Sequence, residues 1–86
     1  MSSENNKISG RQIAAARELL NITQAQLAAA ADVHSVVLSR IESGTVQPRD
    51  NTIAKVRDAL ERRGIEFLNG GSPGVRLHGE KSVIPV

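Results

Sequence analysis

The sequence predicts a mainly α-helical domain of about four to five helices, closed by a short C-terminal β-hairpin. Three observations carry that expectation. Apolar residues recur at helical spacing from Ile13 to Leu60, and two Ser/Thr-x-x-Gln stretches mark helix starts. After Gly64 the period shortens, and two short apolar runs flank the turn-rich Asn69-Gly-Gly-Ser-Pro-Gly74. The 86 residues suffice for one small domain, and with Phe67 as the single aromatic its core falls to Ala, Leu, Ile and Val.

Residues 1–8 (MSSENNKI) are mostly polar and read as a flexible N-terminal tail. Ser9-Gly-Arg-Gln12 has capping-box spacing, so a first helix of about three turns follows, with Ile13, Ala16 and Leu20 on one face. Asn21-Ile22 breaks it. Thr23-Gln-Ala-Gln26 is a second capping box and launches a helix with Leu27, Ala28 and Ala31 inward. Asp32-Val33-His34 is long enough only for a tight turn. A third helix at 35–43 turns Val37, Leu38 and Ile41 inward and stops at Gly44, a left-handed C-cap. The loop from Thr45 to Arg49 is pinned by Pro48, and Asp50 or Asn51 caps a fourth helix carrying Ile53, Val56, Ala59 and Leu60.

Gly64 closes that helix and lets Ile65 pack back on its last turn. The expected division is a tail at 1–8, a helical domain at 9–63, a hairpin at 64–78 and a C-terminal tail at 79–86. Within that last tail, Ser82-Val-Ile-Pro-Val86 is apolar and has no evident local partner.

Composition excludes several classes. The absence of cysteine removes disulfides and thiolate metal sites and fits a reducing compartment. No apolar run reaches membrane-spanning length, and the first residues lack the apolar stretch of a signal peptide, so a cytoplasmic protein is expected. With His34 and His78 as the only histidines, no metal is expected. There is no nucleophile–base pair, phosphate loop or paired carboxylates, so neither catalysis nor a cofactor is expected. The net charge of +2 is small. Up to Pro48 the charges cancel, Lys7, Arg11, Arg17 and Arg40 against Glu4, Glu18, Asp32 and Glu42; the surplus lies beyond. A polyanion partner must therefore be recognised by geometry more than by bulk charge.

The second and third helices have the dimensions of two short helices meeting steeply through a brief turn, which demands apolar residues where they touch and a small residue for close approach. Leu27, Ala31, Val33, Leu38 and Ile41 supply the first, and Ala28 the second. From Arg17 to Leu60 the chain resembles the repressor-like, five-helix DNA-binding domain of the phage repressor and Cro (XRE) helix-turn-helix family. Thr23-Gln24 opens the second helix, Arg17 and Glu42 stand at a family ion-pair position, and Ile41-Glu-Ser-Gly-x-x-x-Pro48 matches the end of helix three and its loop. Asp32 replaces the usual turn glycine, His34 the usual Ser or Thr cap, and helix three is poor in Gln, Asn and Lys. The hairpin lies outside the resemblance.

The resemblance implies a sequence-specific transcriptional regulator, a repressor or autoregulator, that binds double-stranded DNA as a homodimer on a palindromic operator. Helix three would enter the major groove, with half-sites ~34 Å apart. The DNA-facing set is then Thr23, Gln24, His34, Ser35, Val36, Ser39, Arg40, Thr45, Gln47 and Arg49. Gln24 sits in a helix first turn, whose free N–H groups attract phosphate. Arg40 suits guanine or phosphate, the serines suit bases or phosphates, and Val36 either meets a thymine methyl or is half-buried. Arg17 and Glu42 are read as a structural ion pair, and Arg62-Arg63 as a complement to the fourth helix's dipole. Ile65 and Phe67 share one hairpin face, as do Val75 and Leu77; they either pair across chains as a dimerisation element or cover the monomer's core. Two alternatives remain: a DNA-binding antitoxin whose hairpin or tail holds a toxin, and a protein-interaction module built on the same fold.

Overall fold

In the computed structural model, residues 8–79 are described. Four helices, α1 (Gly10–Leu20), α2 (Gln24–Ala31), α3 (Ser35–Ser43) and α4 (Asp50–Glu61), precede strands β1 (Ile65–Leu68) and β2 (Gly74–Leu77). The Ser82-Val-Ile-Pro-Val86 stretch and residues 1–7 lie outside the described residues.

The helix boundaries follow from local chemistry. Both capping boxes form in full: Ser9 and Thr23 accept from the N–H of Gln12 and Gln26, whose side chains accept from the N-cap N–H groups in return. Helices α1, α2 and α3 all end on a left-handed residue, Asn21, Asp32 and Gly44. Each end is tied by a backbone N–H of the following residue: Ile22 to Arg17 O, Val33 to Ala28 O, and Thr45 to Arg40 O. Asn and Asp tolerate that conformation through their short polar side chains, which is why Asp32 serves where glycine was expected.

Two expectations need correction, one cap and one tail residue. Helix α4 is entered from Arg49, whose extended backbone makes it the N-cap without a side-chain hydrogen bond. Asp50 instead lies in the first turn, where its charge complements the helix dipole. Ile8, assigned to the tail, is buried, because its side chain joins the core cluster just ahead of α1.

Helix α2 packs on α3 and α4, α1 on α3, α4 and β2, and β1 on α4. Ile13, Leu27, Leu38, Val56 and Leu60 form the fully enclosed centre. Val37 does not join them. Leu38 and Ile41 set the buried direction of α3, and Val37 falls on its flank, 36 % exposed.

The hairpin is paired within the chain, antiparallel, with Ile65 opposite Leu77 and Phe67 opposite Val75. Ile65 and Phe67 are only 4 % and 8 % exposed, and Val75 and Leu77 pack against the same core. Of the two readings open for these residues, the packing supports the one in which this face covers the monomer's own core, as two strands alone are marginal in water. Gln12 locks the arrangement. Its Nε2 donates to Asn69 Oδ1 at 2.9 Å, Gly74 O at 3.1 Å and Leu68 O at 3.3 Å, joining the start of α1 to the hairpin turn.

Candidate nucleic-acid interface

A tight turn joins α2 to α3, and the contact between them rests on small and branched residues. Ala28 and Ala31 are buried on α2, Leu38 and Ile41 on α3, with half-buried Val33 in the turn. The two helices are then held by one charged network. Arg17 on α1 donates from Nε to Glu42 Oε2 at 3.0 Å and from Nη2 to Oε1 at 3.1 Å; Nη1 donates to Ile22 O at 3.0 Å. Glu42 is 6 % exposed and Arg17 17 %. The bidentate pairing raises the guanidinium's pKa further, the hydrogen bond to Glu42 outweighing burial, which opposes it.

Gln24 completes this network. Its Nε2 donates to Glu42 Oε1 at 2.9 Å, so the first turn of α2 is fastened to the second half of α3. Gln24 was expected to face DNA from the first turn of α2; its side-chain amide is a brace between α2 and α3. This bond reaches across 18 positions and has no local periodicity to announce it.

Ser35, Val36, Ser39 and Arg40 are all exposed along α3. Val36 is 58 % exposed, so the core does not use it. Arg40 has no acidic partner among the described residues, so its charge is available to a ligand. His34 is the N-cap of α3 but makes no side-chain cap bond, leaving the first N–H groups of the helix open. Thr23 is engaged in its capping box. Thr45 shares a 2.7 Å hydrogen bond with Ser43, whose hydroxyl also lies 3.1 Å from Arg40 O. Gln47 and Arg49 are exposed in the loop leading to α4.

The expected residues thus form two groups. Gln24 is tied through Glu42 to α3, which carries Ser35, Val36, Ser39 and Arg40. Gln47 and Arg49 follow the left-handed stop at Gly44, in the connection that leads away from α3. Two exposed members of the α3 surface were missed, Val37 and Ser43. A helical wheel centred on Leu38 and Ile41 would have found Ser43, opposite the buried direction, but not Val37, which falls beside Ile41.

Among the described residues, no group of three or more His, Cys, Asp or Glu is placed to hold a metal, and no helix is long and apolar enough to cross a membrane. A helix-turn-helix family model matches residues 13–68, from the first enclosed residue of α1 to the end of β1. No curated protein gives a match.

Proposed function

The chain belongs to the XRE-type helix-turn-helix family, a family of DNA-binding regulators, and from that premise we propose that it is a sequence-specific transcriptional repressor or autoregulator. It acts in the cytoplasm as a homodimer, each copy placing α3 in the major groove of one half of a palindromic operator. One observation supports this reading: α3 presents Ser35, Val36, Ser39 and Arg40 on a side that the core leaves free, with a guanidinium in its last turn that has no acidic partner among the described residues. The N–H groups at the start of α3, which no side chain caps, suit the same kind of ligand, since helix N-termini attract phosphate.

Phosphate contacts position the domain, and base contacts specify the site. Gln24, His34, Thr45, Gln47 and Arg49 serve the first role, and the α3 residues the second. The subunit contact uses a surface other than the inner face of the hairpin, since Ile65 and Phe67 are already enclosed.

Selection of bound duplexes from a random library at fixed salt tests the proposal, and an enriched two-fold symmetric sequence is the expected outcome. Arg40→Ala should then weaken binding by roughly 5- to 150-fold, the worth of one bidentate base contact. Because Arg40 is exposed, its helical circular dichroism should be unchanged. A library with no enriched sequence, or an Arg40→Ala protein that binds as the wild type does, overturns the groove assignment.

A further inference from the structure

The exposed side of α3 is chemically uneven. Successive residues turn by roughly 100° about the helix axis, so with Leu38 and Ile41 inward the outward side is centred on Val36. Arg40 and Ser43 follow it along the helix, Ser39 flanks it on one side, and Val37 lies at the other edge, between the outward side and Ile41. The core uses neither valine, at 58 % and 36 % exposure, although every other aliphatic side chain of this helix is enclosed. The remaining exposed positions are Ser35, Ser39, Ser43 and Arg40, and the helix contains no Asn, Gln or Lys. Glu42, its one carboxylate, is occupied by Arg17 and Gln24.

Such a surface has a narrow vocabulary. Bidentate adenine pairing needs an amide side chain, and bidentate guanine pairing a cation, of which there is one. A branched aliphatic side chain pressed on a guanine, adenine or cytosine edge would strip water from polar groups and return no hydrogen bond. The thymine 5-methyl group is the apolar feature the major groove offers. The serines are short, so the helix can approach closely enough for the valine methyls to reach it.

We propose that Val36 and Val37 are specificity residues that select neighbouring thymines in each half-site by their 5-methyl groups. This rests on the groove assignment above and adds to it the base chemistry being read.

The test replaces thymines in the selected operator by deoxyuridine, one position at a time. Deoxyuridine keeps every hydrogen-bonding atom of thymine and lacks only the methyl group. At the contacted positions the expected loss is roughly fourfold in affinity for each methyl removed, the worth of one buried carbon group. In Val36→Ser and Val37→Ser proteins, whose fold is checked by circular dichroism, the same replacement should cost nothing. A selected operator that tolerates deoxyuridine everywhere overturns the methyl reading and leaves the groove assignment standing. A deoxyuridine penalty undiminished in both serine variants overturns the assignment to these valines. A library without an enriched site overturns both.

Discussion

A β-carbon at Gly10 would lie 2.0 Å from the carbonyl oxygen of Ile41 and 2.8 Å from its carbonyl carbon. The first turn of α1 therefore rests directly on the backbone at the end of α3, and only glycine allows that approach. Gly10→Ala should lower the free energy of unfolding by about 1–3 kcal/mol, read as a reduced urea midpoint. The substitution favours an isolated helix, so a loss identifies the contact as the cause. A second prediction at this scale concerns Glu66 on the outer face of the hairpin. Arg76 lies opposite it with Nη2 at 3.0 Å, and His78 bonds the same Oε1. The hydrogen bond from His78, then that from Arg76, holds the carboxyl below its ordinary value of 4.5. A depressed carboxylate pKa stabilises the fold above the unfolded value and loses that contribution as pH falls through the folded value. The stability difference between wild type and Glu66→Gln should accordingly be full above pH 4.5 and shrink below it, followed by thermal unfolding across that range. The effect is small, because the pair is largely solvated.

At the scale of elements, the helices begin and end where short-range chemistry says they should, and their unequal caps have consequences. Two capping boxes fix α1 and α2, whereas α3 and α4 start from His34 and Arg49 without side-chain caps. Helix α3 must therefore draw its stability from Leu38, Ile41 and the Arg17–Glu42–Gln24 network. Gln12 serves two elements at once, because its backbone and carbonyl complete the cap of α1 while its Nε2 holds the hairpin. Gln12→Ala should cost about 1–3 kcal/mol, with faster amide exchange in the hairpin as well as in α1. Loss confined to α1 would mean that the hairpin holds without it. The capping role was legible from the Ser9-x-x-Gln12 spacing. The hairpin role was not, since its partners are 56 to 62 residues away.

For the whole molecule, the hairpin decides how the chain closes its core. Phe67 is enclosed, with the Arg57 guanidinium 5.8 Å from its ring centroid. Phe67→Asp should therefore unfold the domain, since losing the ring alone costs about 3–5 kcal/mol and a buried carboxylate adds to that. Circular dichroism and sedimentation distinguish the outcomes: a folded monomer would return Phe67 to a subunit contact. Much of this protein was determined by the sequence itself. Capping boxes, left-handed stops and the apolar periods are interactions among residues a few positions apart, so the four helices, the hairpin and the family resemblance could all be read locally. The tertiary structure decided what depends on distant neighbours. Ile8 and Phe67 go inward, Val37 is left on the α3 flank, Gly10 meets Ile41, and Gln24 and Gln12 acquire second partners. The alternating pattern of the hairpin says which side chains share a face. Only the packing of that face on α1 and α4 says that the surface it covers is the chain's own, because burial is a property of the assembled elements and not of any one of them.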